Sequence, residues 1–136
     1  MSNKEEFIET PELKIRILAN GIHIYRLTDW SESGLQQWES HFVQRLETAE
    51  RNIYSIYDMR HFSTVSRSAF GMATRLESHP KSGIAYSVAL LSNRRVALLV
   101  NSLIRMRRER NRNAILASEE ESIAWLLEKQ QEHNTL

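Results

Sequence analysis

A mixed, mostly parallel α/β sheet of five strands with four helices is the architecture this sequence predicts, and three observations predict it. An Asn20-Gly21 pair joins two short stretches of strand character. Three later β-rich segments begin near Ile53, Ser87 and Asn113, and between them run segments with the three-and-four spacing of amphipathic helices. Strands that alternate with helices are joined by crossovers, so they are expected to be parallel and right-handed in their connections.

The first strand rests on Leu13, Ile15 and Ile17 alternating with Lys14 and Arg16, the period of two of a sheet with one wet face. Asn20-Gly21 then offers a pair of φ > 0 residues for a tight hairpin, and Ile22 to Leu27 is the returning strand. From Ser31 to Arg51, Leu35, Trp38, Phe42, Leu46 and Ala49 make one apolar stripe, with Asp29 or Ser31 as the cap. Ile53 to Asp58 is β-branched and aromatic and reads as the third strand, followed by a polar loop from Arg60 to Ser66. A second helix carries Ala69, Met72, Ala73 and Leu76 and must stop before Pro80, because the residue ahead of a proline avoids helical backbone.

Ser87 to Ser92, with Val88 to Leu91 inside it, is a continuous apolar run and therefore a buried central strand. The third helix places Val96, Leu99, Val100, Leu103 and Met106 on one face, and arginines gather at its C-terminal end, where the peptide dipoles favour cations. Asn113 to Ala117 is the fifth strand. Ser118 with Glu121 has the S-x-x-E form of a capping box, and the closing helix turns Ile123, Leu126 and Leu127 inward before fraying after Gln130.

Composition sets the outer limits. A chain of 136 residues, 41% hydrophobic and 26% charged, suits one domain over 1–136, with 1–11 and 131–136 as loose ends. Cysteine is absent, which excludes disulfides and thiol chemistry. The acidic start lacks the apolar stretch of an export signal, and no run reaches the roughly 18 apolar residues of a membrane span, so a cytoplasmic protein is expected. A net charge of +1 speaks against nucleic acid as the partner.

The stretch from Ile53 to Leu127 resembles the STAS and SpoIIAA-like families. The residues that carry the likeness are a strand ending in Asp58-Met59-Arg60, a helix, an apolar strand, a helix ending in arginine, a short strand, and a closing helix with Glu120-Glu121-Ser122-Ile123-Ala124-Trp125-Leu126-Leu127. The resemblance implies a regulatory domain, and in the anti-sigma-factor antagonists of that group a serine at the start of the helix after the third strand is phosphorylated. This chain departs there: Arg67 stands at the phosphorylated position, Ser66 replaces the neighbouring acid and Ala69 replaces the glycine. Ser66 and Ser68 remain as acceptors at a helix N-terminus, where a phosphate is electrostatically tolerated.

Two candidate sites follow. Asp58, Arg60, His61, Ser66 and Ser68 fall where open α/β sheets hold ligands, at the carboxyl ends of strands. They form a phosphorylation or ligand loop, or alternatively the acid, base and hydroxyl of a small hydrolase or transferase built on Asp58, His61 and Ser66. The bland reading is caps and turns, and no nucleophile-elbow motif accompanies them. Arg105, Arg107, Arg108, Arg110 and Arg112 are the second site, an anion-binding segment for phosphate or anionic lipid heads, against the bland reading of a solvated helix end. His23, His41, His61, His79 and His133 lack metal-ligand spacing, and the glycines at 21, 34, 71 and 83 form no phosphate loop, so no metal and no cofactor are expected. Trp38 reads as core. Tyr25, Tyr54 and Tyr57 are grouped as an apolar patch on a bare sheet face, which would make the protein a homodimer or a docking partner. The prediction is a non-catalytic regulatory or protein-interaction module, with anion or membrane-surface binding as the rival.

Overall fold

A computed structural model describes residues 5–105 and 112–134. Six strands and four helices make up the fold: β1 (Glu6–Glu9), β2 (Leu13–Ile17), β3 (His23–Leu27), α1 (Glu32–Thr48), β4 (Ile53–Asp58), α2 (Arg67–Glu77), β5 (Ala85–Leu90), α3 (Arg94–Arg105), β6 (Asn113–Leu116) and α4 (Glu119–Asn134). The strands lie in one sheet in sequence order, β1-β2-β3-β4-β5-β6. β1, β2 and β3 pair antiparallel; β3 to β6 pair parallel, as the alternation with helices requires.

The strand that composition does not reveal is β1. All four of its residues are exposed, so it has no buried face to leave an alternating pattern, and the expectation of a loose 1–11 is corrected from Glu6 onward. The other end is corrected too. α4 continues to Asn134 instead of fraying after Gln130, because His133 bonds two tyrosines of the sheet: its Nδ1 lies 2.6 Å from the Tyr54 hydroxyl and its Nε2 lies 3.1 Å from that of Tyr86.

The hairpin between β2 and β3 is looser than a two-residue turn. The Gly21 amide donates to the Leu18 carbonyl and the Leu18 amide to that of Ile22, with Gly21 alone at φ 88°. Asn20 keeps ordinary φ and uses Oδ1 to accept from the Ile22 amide, so only one left-handed residue is needed, in the manner of a turn closed by a glycine bulge. Ser31 caps α1 through the Gly34 amide, while Asp29 holds the Ser31 amide. Gly34 also permits α1 to approach β3: a Cβ there would stand 3.0 Å from a Leu27 methyl.

Because the strand order advances steadily, crossovers of one hand must put α1, α2 and α3 on the same side of the sheet. Among the described residues only α4, which is not a crossover, covers the other. The register confirms two distinct layers. Ile15, Tyr25, Tyr57, Ala89 and Ile115 point to the three-helix side, and Ile24, Ile56, Val88 and Ala114 to the α4 side. Leu35, Trp38, Phe42 and Leu46 of α1 are all buried, as their spacing predicts. On the second layer Leu126 is fully buried against Ile22, Ile56, Val88 and Leu90.

This layering dissolves the tyrosine patch. Tyr25 and Tyr57 lie under α1, Tyr54 under α4, so the three are divided between two covered faces. Among the described residues, no helix is long and apolar enough to cross a membrane.

Candidate functional site

A departure from close packing lies in the three-helix layer. β5 sends Ala85, Ser87 and Ala89 toward the helices, and α2 answers with Ala69 and Ala73. Small side chains on both walls cannot fill the space between layers about 10 Å apart. A cavity of about 120 Å³ results. Trp38, Phe42, Tyr57, Met59, Met72 and Val100 form its apolar wall, so its surface is overwhelmingly carbon.

One region of the lining is polar. The Tyr57 hydroxyl lies 3.0 Å from Ser87 Oγ, and Arg112, Glu77 and Asn113 border the cavity between α2 and the start of β6. Arg112 is only 6% exposed; its Nη1 donates to the carbonyls of Ser82 at 2.6 Å and Ala85 at 3.2 Å, and its Nη2 lies 3.9 Å from Glu77. Arg112 therefore belongs to the interior and not to an exposed cationic surface, which corrects its place in the anion-binding segment. Backbone carbonyls exposed where the 3-10 turn at Ser82–Ile84 leads into β5 give the buried guanidinium its reason to turn inward. Arg105 is exposed in the last turn of α3; Arg107, Arg108 and Arg110 lie outside the described residues, as does Met106.

The polar loop after β4 is assembled differently from the expectation. Asp58 ends β4 on the α4 side, where Arg60 grips it with Nε at 3.0 Å and Nη2 at 2.9 Å, and Arg26 approaches to 3.9 Å. Burial pushes the Asp58 carboxyl up, but the Arg60 hydrogen bonds and the two guanidinium charges outweigh it and hold the group below the usual carboxylate range. His61 sets Nε2 against the Leu27 carbonyl at 2.8 Å. Ser66 Oγ accepts from the Ala69 amide and caps α2, while Ser68 is exposed. Asp58 and Arg60 thus come together, but no hydrogen bond joins them to His61 or Ser66, and none of the loop candidates lines the cavity. Asp58, Arg60, His61 and Ser66 each have a local structural use of the kind that polar side chains in caps and turns favour.

A second polar group sits beneath α1 at the beginning of β3 and β4. Arg45 Nη1 donates to Ser55 Oγ at 2.7 Å and to the Tyr25 hydroxyl at 3.0 Å, and that hydroxyl lies 2.9 Å from His41 Nδ1. Burial and then the Arg45 charge lower His23 to about 4; the same two causes lower His41. Burial raises the Tyr25 phenol to about 12 against the pull of Arg45. The cluster is internally bonded and tethers α1 to the sheet.

The cavity was not foreseen from the residues, yet a signal for it exists. Ala85-x-Ser87-x-Ala89 sets three small side chains on one face of a central strand, where sheets facing helices ordinarily carry Val, Ile and Leu. No group of His, Asp and Glu among the described residues is arranged to hold a metal ion. No protein-family model matches the chain, and no curated protein is significantly similar to it.

Proposed function

We propose that this protein is a non-catalytic binding module of STAS-like build that holds a small, largely apolar molecule between its sheet and helices α1 to α3. The observation that carries the reading is the cavity of about 120 Å³ with an aromatic and methionine wall. Apolar cavities of this order, about 150 Å³, stay dry and admit benzene. Pockets for small molecules are typically apolar with a few fixed polar groups, which describes this lining. Strand and helix order from Ile53 onward supports kinship with STAS modules, in which a regulatory role would make occupancy of the cavity the signal.

The test is titration with benzene and cyclohexane, followed by the methyl resonances of Met59, Met72 and Val100. Saturable shifts confined to these residues, abolished in Ala89→Leu, are the expected result. No saturable shift with any benzene-sized probe would end the reading.

A second reading, self-association, has one observation in its favour. Phe7 is 54% and Ile8 42% exposed on β1, the outermost strand of the sheet among the described residues. Exposed apolar edge strands are templates for pairing with another chain. Sedimentation is expected to show a dimer that Ile8→Pro converts to monomer; a wild-type monomer at micromolar concentration excludes it.

A further inference from the structure

Helix α3 turns a stripe of side chains to solvent that serves neither the core nor the cavity. Val96 and Val100 are buried on its inner side, against Met59, Ala89 and Leu91. At 3.6 residues per turn, Arg94, Arg95, Ser102 and Arg105 fall within about 60° of Leu98 on the opposite side, and all five are exposed. Leu98 is 65% exposed, more than any other large hydrophobic residue among the described residues, and Leu99 beside it is 36% exposed. None of these residues lines the cavity. Folding accounts for neither part of the stripe. A leucine left in water contributes nothing to the core, and cations in the first turn of a helix oppose the positive end of its peptide dipoles. Yet α3 begins with Arg94 and Arg95 and carries no acid in that turn. Its capping need is already met by Asn93, whose Oδ1 accepts from the amides of Arg95 and Val96. Among the described residues the guanidiniums of Arg94, Arg95 and Arg105 form no ion pair, whereas Arg16, Arg60 and Arg75 each find a carboxylate.

We infer that the outer stripe of α3 docks on an anionic membrane surface, with Leu98 and Leu99 entering the boundary between headgroups and acyl chains and Arg94, Arg95 and Arg105 meeting lipid phosphates. Three unpaired guanidiniums select an anionic occupant, and the convex helix selects a planar one. A helix of 12 residues is about 18 Å long and about 10 Å across. Its stripe therefore presents far less than the roughly 800 Å² per partner of a stable protein interface. A membrane sets no such threshold, because each arginine near an anionic leaflet strengthens attachment roughly fivefold and buried apolar side chains add to it.

The test is co-sedimentation of the full chain with vesicles of phosphatidylcholine alone, or of phosphatidylcholine and phosphatidylserine in equal parts. Binding to the mixed vesicles only, weakened by salt, is the expected result. It should fall roughly 25-fold in Arg94→Gln with Arg95→Gln, and roughly fivefold in Leu98→Ser. The charge-matched pair Lys14→Gln with Arg75→Gln, on β2 and α2, should stay within about twofold of the wild type. All five positions are exposed, so each variant should keep the wild-type circular dichroism. A polarity-sensitive dye on Ser102→Cys, the single thiol in a chain without cysteine, should shift to the blue on mixed vesicles, and the same dye on Ser40→Cys of α1 should not. Equal binding to both vesicle types, equal loss in the charge-matched pair, or unshifted emission at position 102 overturns the inference. So does binding to polyglutamate in place of the mixed vesicles, which would make an acidic protein segment the partner. Failure to bind either vesicle overturns it as well and leaves the cavity reading standing.

Discussion

The two faces of β5 are packed by opposite rules. Toward α4 the strand sends Tyr86, Val88 and Leu90, and Leu126 packs on them so that Val88, Leu90 and Leu126 are all fully buried. Toward α1, α2 and α3 it sends Ala85, Ser87 and Ala89, and the cavity remains. The same six residues thus belong at once to a filled layer and an open one. Stability and binding are divided between the faces of one strand, so the open side tolerates a void that the filled side compensates.

The sharpest way to break that comparison is to open the filled face. Leu126→Ala is expected to cost about 2–5 kcal/mol in urea unfolding, as for other large-to-small changes at fully buried sites. A cost below about 1 kcal/mol would mean that the α4 layer is not the stabilising one.

Adjacent residues on β5 should respond with opposite sign to added bulk. Val88→Phe is expected to lose about 1–3 kcal/mol by overpacking, whereas Ala89→Leu fills the cavity and gains about 0.5–2 kcal/mol. Thermal unfolding of the two variants reads the difference directly, and loss of similar size in both would show that the void collapses or is otherwise occupied.

Titration adds a third contrast, since the lowered histidines lie on the three-helix side. His23 falls to about 4 in the folded chain from an ordinary 6.5, so the unfolded chain binds more protons across that window. Stability is accordingly full above about pH 6.5 and declines as pH falls toward 4, by on the order of 1–2 kcal/mol after allowance for solvent screening. His23→Gln should flatten the pH 4–6.5 part of the stability profile; an unchanged slope would remove His23 as its source.

The smallest effect is expected at the surface between α1 and α2. Arg75 bonds Glu39 through Nε at 2.8 Å and Nη2 at 2.7 Å, but in solvent. Arg75→Ala should leave the thermal unfolding midpoint almost unchanged, and any small loss should shrink further in high salt. A larger loss would tie this pair to the positioning of α2 over the cavity.

Most of the fold was legible because periodicity reports burial. The α1 stripe from Leu35 to Leu46, the stop of α2 before Pro80 and the Ser118 cap of α4 each follow from a local rule, and each is observed. β1 was not legible, since Glu6 to Glu9 bury nothing and the strand exists through pairing with β2. How the loop candidates are arranged was not legible: Asp58 and His61 are three residues apart, yet β4 turns the first toward α4 while the second reaches the end of β3.

Residue order by itself determined that β-rich and helical segments alternate from Ile53 onward, because hydrophobic spacing is a property of the chain alone. What only the tertiary structure decided is which layer each side chain enters, and hence that Arg112 turns inward, that the Trp38 indole nitrogen has no acceptor among the described residues and that three small residues of β5 meet two alanines of α2. The small residues of β5 are one half of the signal for a void, but the void itself is a mismatch between walls contributed by segments far apart in the chain, and it exists only once they are brought face to face.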